Sequence, residues 1–139
     1  MANWSNVEIK IYNLNVFDIS NIRKLFTEQQ DEYEFIHKYT MTIDDISISM
    51  SSDKTLGDIY IYGEGRWYCK ETSLINDLLK LVPKLNMLFI EYGGGSDFIQ
   101  IIEYKNGEEI RSDNDVVDSP LGLELLGEEF FEERDFKEA

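Results

Sequence analysis

The 139-residue chain fits a single domain, which at this size buries about two-thirds of the surface its unfolded form exposes. The net charge is −15, from 28 acidic and 13 basic residues, which disfavours direct binding to nucleic acid or anionic membranes, because both require Lys and Arg to displace counterions. The only cysteine, Cys69, excludes an intramolecular disulfide, and the longest apolar stretch, Leu78 to Ile90, is interrupted by Lys80, Pro83, Lys84 and Asn86, well short of the ~20 residues a membrane span needs.

Residues 1–6 have neither the basic nor the apolar region of a secretory signal, so the expectation is a cytoplasmic protein. The hydrophobic content is 42%, with eight Phe and eight Tyr, enough side chains for a core without metal or disulfide support. The charge is uneven: residues 1–70 carry 11 acidic and 7 basic side chains (−4), and residues 71–139 carry 17 and 6 (−11).

In chain order, Val7, Ile9 and Ile11 alternate with Glu8, Lys10 and Tyr12, the period-two pattern of a half-buried strand punctuated by Asn13 and Asn15. From Asp18 the period lengthens, and Ile19, Ile22, Leu25 and Phe26 share one helical face. Residues 29–39 are polar with scattered aromatics and read as a helix extension or a loop. Ile46, Ile48 and Met50 alternate with serines in a second strand, Ser52-Asp53-Lys54 turns the chain, and Asp58 to Tyr62 forms a third strand ended by Gly63-Glu64-Gly65. Thr72 or Ser73 caps a second helix carrying Leu74, Ile75, Leu78 and Leu79, which Pro83 stops. Met87 to Tyr92 and Asp97 to Tyr104 are strands separated by Gly93-Gly94-Gly95. Asn106-Gly107 tolerates the positive φ of a tight hairpin turn, and Glu108 to Arg111 returns from it. An acidic linker, Asp113 to Asp118, leads to Ser119-Pro120, a helix start, and to a tail of glutamates and large apolar residues.

The expected fold is α+β: a ferredoxin-like β-α-β-β-α-β core extended by a C-terminal hairpin and an acidic helix. Residues 1–112 make the domain, and 113–139 an acidic linker and helical tail docked on it.

Met1-Ala2-Asn3-Trp4-Ser5-Asn6 before the first strand, Trp67 before the second helix, Pro83-Lys84-Leu85 after it, Tyr92, the glycine loop and Glu103-Tyr104-Lys105-Asn106-Gly107-Glu108 resemble the YubB-like ferredoxin-like family of plasmid and phage proteins. Ser5 stands where that family usually has cysteine. The resemblance spans residues 1–12 and about 63–110 and implies the fold and a mobile-element origin; it carries no catalytic residues.

His37 is the only histidine, so with one Cys neither a zinc site of the usual nitrogen and sulfur kind nor a Ser-His-Asp arrangement around a Gly-x-Ser-x-Gly elbow is expected. Gly63-Glu64-Gly65-Arg66-Trp67-Tyr68 has Tyr68 at the third glycine of a dinucleotide loop and Glu64 where a pyrophosphate would lie. Gly93-Gly94-Gly95-Ser96 lacks the lysine of a phosphate loop. Asp113, Asp115 and Asp118 lack the glycine and terminal glutamate of a calcium loop. No cofactor, metal or enzymatic activity is expected.

Arg66 and Trp67 are either an exposed patch of residues favoured at interface hot spots or packing at the helix entry. Between Glu124 and Glu138 seven acidic residues stand against Arg134 and Lys137, interleaved with Leu125, Leu126, Phe130, Phe131 and Phe136, a segment that docks on its own domain or on a partner. The charge and its bias toward the second half point to a non-enzymatic protein that binds a basic protein surface, of the kind found on a nuclease or DNA-binding complex, as anti-CRISPR or anti-restriction inhibitors acting by DNA mimicry would. Glu103, Glu108, Glu109, Asp113, Asp115, Asp118, Glu128, Glu129, Glu132 and Glu133, with Arg66 and Trp67, are the expected partner-binding residues. The competing reading is a small-ligand or regulatory module with a neutral pocket near Arg66, Trp67 and the glycine loop.

Overall fold

The computed structural model describes residues 5–27, 32–65, 69, 72–93 and 99–115. They form a mixed α+β arrangement: β1 (Ser5–Asn15), α1 (Val16–Thr27), α2 (Glu32–Tyr39), β2 (Met41–Met50), β3 (Leu56–Gly65), α3 (Leu74–Leu81), β4 (Met87–Tyr92), β5 (Ile99–Lys105) and β6 (Glu108–Asp115). The strands make one six-stranded sheet in the order β2-β3-β1-β4-β5-β6, with every neighbouring pair antiparallel.

Of the two asparagines that punctuate the first strand, Asn13 lies within it and Asn15 is its last residue. Asn13 takes a positive φ of 58° where the β1–β3 register shifts between Ile11 and Leu14, and its N–H donates to Asp58 Oδ1 at 2.8 Å. The carboxylate thus supplies the partner that the bulge removes from the ladder. Asn15 Oδ1 accepts the Asp18 N–H at 2.8 Å, which caps α1 and starts the helix two residues before Asp18.

The alternation of β1 decides how the sheet is covered. Val7, Ile9 and Ile11 share one side with Ile59 and Ile61 of β3 and Met87 and Phe89 of β4, and these bury against Ile19, Ile22 and Phe26 of α1 and Leu74, Ile75 and Leu78 of α3. α3 stops at Leu81, ahead of Pro83, with the Val82 N–H donating to Leu78 O at 2.8 Å. Ser73 occupies the cap position without a side-chain cap bond; Thr72 Oγ1 instead accepts the Leu74 N–H at 3.3 Å.

The polar stretch 29–39 contains a separate helix, α2, anchored by Tyr39. Its side chain is buried and its hydroxyl donates to Asp77 Oδ2 of α3 at 2.6 Å, with Lys38 Nζ 3.4 Å from the same oxygen. The Tyr39 hydrogen bond, seconded by the nearby Lys38 charge, holds the Asp77 carboxyl below its ordinary pKa, while burial and the Asp77 bond push the Tyr39 phenol up.

β2 and β3 extend beyond the alternating core that marks them in the sequence. Of Gly63 and Gly65, expected to end the third strand, Gly63 lies inside it and Gly65 is its last residue. A Cβ on Gly63 would stand 1.9 Å from Thr42 O, beside the register shift in β2 between Ile43 and Asp45. The turn that joins the two strands is tied by Asp53 Oδ1, which accepts Ser51 Oγ at 2.7 Å, Thr55 N at 3.0 Å and Thr55 Oγ1 at 2.7 Å. These bonds, with Ser51 first, lower the Asp53 carboxyl pKa to about 2. β6 runs through Asp115, so residues 113–115 are strand where a linker was expected. The expected C-terminal helix lies outside the described residues.

Candidate functional site

The acidic candidates that the structure describes converge on the β5–β6 hairpin. Asn106 (φ 53°) and Gly107 (φ 82°) form its turn, as their tolerance of positive φ leads one to expect. The turn is fixed to the chain between α3 and β4: Gly107 N–H donates to Leu85 O at 2.9 Å, and Asn106 N–H to Asn86 Oδ1 at 3.0 Å. A Cβ at Gly107 would meet Pro83 O at 2.1 Å, so glycine is required there by close approach as well as by φ.

Beyond the turn, Lys105 pairs with Glu108, Tyr104 with Glu109 and Glu103 with Arg111, the shift between Glu103 and Tyr104 leaving Ile110 as the extra residue. Asp113 and Asp115 occupy register positions opposite Ile101 and Ile99. Glu108 and Glu109 are exposed and Glu103 is half-buried. Ile110, between Glu109 and Arg111 in the strand, is 54% exposed. Lys105 and Arg111 face carboxylate positions across the ladder, so two cations are set among the acidic positions of the hairpin. Burial, and then the Glu109 charge, raise the pKa of the Tyr104 phenol. β6 ends the sheet, and its outer backbone edge pairs with no strand among the described residues.

The middle of the sheet face opposite α1 and α3 carries a second group that sequence reading missed. Glu8 lies between Tyr62 of β3 and Ile90 of β4. The Tyr60 hydroxyl donates to Glu8 Oε1, and the Tyr62 hydroxyl donates to Asn6 Oδ1 at 3.1 Å. Burial is the main cause of the raised pKa of all three phenols, and the Glu8 carboxylate adds to it. A sheet face with tyrosines on adjacent strands could stack bases, but a carboxylate at its centre repels the phosphates that would accompany them. The signal was in the sequence, as Tyr60 and Tyr62 at alternate positions; its meaning needed the strand register.

A third group is buried on the helix side. Glu91 is fully enclosed; Ser5 Oγ donates to its Oε2, and the Cys69 N–H donates to its Oε1 at 2.8 Å. A Cβ on Gly65 would fall 2.6 Å from Ser5 Oγ, 2.7 Å from Cys69 Sγ and 2.8 Å from Glu91 Oε2, so the glycine makes room for this cluster. The Cys69 thiol is buried and donates to Thr40 O at 3.3 Å, which places it out of reach of a solvent-borne substrate. Gln100, opposite Glu91 in the ladder, is buried, and its Oε1 accepts no hydrogen bond from the described residues. The cluster ties β1, β4 and the segment before α3 together.

His37 is exposed at the end of α2, apart from the buried Cys69 cluster. Among the described residues no three His, Cys, Asp or Glu side chains are grouped to hold a metal ion, and no helix is long and apolar enough to cross a membrane. Arg66, Trp67, Asp118, Glu128, Glu129, Glu132 and Glu133 lie outside the described residues. Comparisons with protein-family models, curated proteins and solved structures gave no match.

Proposed function

We propose that this protein is a non-enzymatic binding module that presents the acidic β5–β6 edge to a basic protein surface, and that it inhibits a nucleic-acid-binding complex by occupying the site of the phosphate backbone. The observation that carries the reading is the edge strand itself: exposed Glu108 and Glu109 precede an exposed Ile110, Glu103 lies one strand in, and Asp113 and Asp115 occupy later positions of the strand. Carboxylates around a desolvatable aliphatic anchor suit a basic partner, the charges steering the encounter and the apolar contact holding it. The net charge of −15 strengthens the same steering. Asp118, Glu128, Glu129, Glu132 and Glu133 belong to the same proposal through their charge alone.

The proposal includes a ferredoxin-like core made of β2-β3-β1-β4 with α1 and α3. Support comes from the strand order and from α1 and α3 lying on one side, which is the split β-α-β-β-α-β pattern; α2 and the β5–β6 hairpin are then additions to it. A mobile-element origin of the YubB-like kind remains part of the proposal on the sequence resemblance.

The test is capture on the immobilised full chain from bacterial lysate at low salt, followed by a salt gradient and then by duplex DNA. The proposal expects a basic, nucleic-acid-binding protein that leaves at moderate salt and is displaced by the duplex. Retention that neither salt nor duplex disturbs would contradict it.

A further inference from the structure

β2 and β6 are the two edges of the sheet, and they carry different side chains. β6 holds Glu108, Glu109, Arg111, Asp113 and Asp115 along its length. β2 has Asp44 and Asp45 in its first half, and from Ile46 to Ser52 the chain carries no charge. Charged side chains are one of the means that keep an exposed strand edge from pairing with another chain, and the second half of β2 lacks them. No strand among the described residues pairs with its outer edge. The backbone N–H and C=O groups on that edge suit one more extended strand.

Apolar surface accompanies this edge. Ile48 and Met50 are each 38% exposed. They pair with Ile59 and Gly57, and Ile59 belongs to the core beneath the helices, so both side chains lie on the side of the sheet that α1 covers. A Cβ on Gly57 would stand 2.6 Å from Met50 Sδ and 2.7 Å from Ile19 Cδ1, which places Met50 beside the start of α1. Val16 and Phe17 open that helix and are 57% and 73% exposed. Large apolar side chains are therefore exposed where the second half of β2 meets the start of α1.

The strand is complementary to a second copy of itself. In an antiparallel pairing centred on Ile48, that residue lies opposite its counterpart and Ile46 lies opposite Met50, so apolar side chains meet on one side. Ser47 lies opposite Ser49 on the other side. Asp44 and Asp45 fall opposite Ser52 and Ser51 of the other copy, at the end where Lys54 is exposed, and away from that copy's own Asp44 and Asp45. The neighbouring Asp53 carboxylate accepts bonds from Ser51 and Thr55 within its own turn. Two chains of charge −15 thus meet along an uncharged stretch, with carboxylates set beside a lysine at each end.

We infer that this protein forms a symmetric dimer through the second half of β2, the two copies pairing antiparallel about Ile48 so that their sheets join into one, with Met50 and Phe17 of each copy beside the seam. The inference goes beyond the proposed function and does not depend on it, since it uses the edge opposite to β6.

The test is sedimentation velocity of the full chain over a dilution series, which should show a monomer–dimer equilibrium. Ser47→Lys/Ser49→Lys sets lysines opposite each other across the seam and should leave only monomer. Both serines are exposed, and an unfolding curve matching the wild type's will show that the variant is folded. Ile110→Lys, on β6, should keep the dimer. A chain that is monomeric at every concentration, a dimer that survives Ser47→Lys/Ser49→Lys, or one lost equally with Ile110→Lys would overturn the inference.

Discussion

On the helix side of the sheet, Ile9, Ile61 and Phe89 meet α1 and α3, and a buried polar cluster around Glu91 ties the end of that face to Ser5 and Cys69. On the other side the same strands present two unlike halves: tyrosines around Glu8 over β1 and β3, and an aliphatic cluster over β4 and β5 that borders the acidic edge. The helix side is held by shape, because each buried side chain has a fixed neighbour. The chemistry of the other side varies from strand to strand. On the proposed reading recognition belongs to the β6 edge, so substitutions there and on the helix side should have different signatures.

The largest effect is expected from Phe89→Ala. It empties a fully buried ring site between sheet and helices and should destabilise the fold by about 4 kcal/mol in urea unfolding. Glu91→Ala should follow at about 3 kcal/mol, because it strands the Ser5 hydroxyl and the Cys69 N–H in a buried site. Glu91→Gln, which keeps an acceptor for the Cys69 N–H, should cost less. Ile101→Ala probes the other face directly: a covered site should lose about 2–3 kcal/mol, and an uncovered one well under about 1 kcal/mol.

Tyr39→Phe removes the hydroxyl bonded to Asp77 and should cost about 1 kcal/mol at neutral pH. The pH dependence has a definite sign. The Asp77 carboxyl is held below its ordinary value in the folded state, so the stability it contributes is present above the unfolded pKa near 3.8 and is lost as pH falls through the lower folded value. The difference between wild type and Tyr39→Phe should therefore narrow below about pH 4. A difference that stays constant down to acid-induced unfolding would assign the loss to packing of the ring.

Elements fixed by local pattern were legible in the sequence: the alternation of β1 around Val7, Ile9 and Ile11, the stop of α3 at Pro83, and the Asn106-Gly107 hairpin. Features fixed by distant partners were not. Asn13 looked like a strand end because its bulge is completed by Asp58, 45 residues away. Gly65 looked like a turn because the reason for its missing side chain is the Ser5–Glu91–Cys69 cluster around it. The burial of Glu91 within the Met87 to Tyr92 strand was equally invisible, because its partners stand 86 and 22 residues away in the chain. The acidity of the second half was obvious, but the cross-strand placement of Lys105 and Arg111 within it required the register.

The central claim is that the β6 edge carries recognition while its charges do little for the fold, and the opposite edge of the sheet supplies the control. β2 also ends the sheet and carries two exposed carboxylates, Asp44 and Asp45. Charged edge strands guard against edge-to-edge association whatever else they do, so the two edges would be equivalent if that were their whole role. The measurement is partner capture by full-length Glu103→Lys/Glu108→Lys/Glu109→Lys beside full-length Asp44→Lys/Asp45→Lys. The Asp44 and Asp45 substitutions, at exposed positions, should change stability by no more than about 0.5 kcal/mol each, and unfolding curves will show that both variants are folded. The account predicts that the β6 variant loses the partner while the β2 variant keeps it; equal loss or equal retention in the two would contradict it.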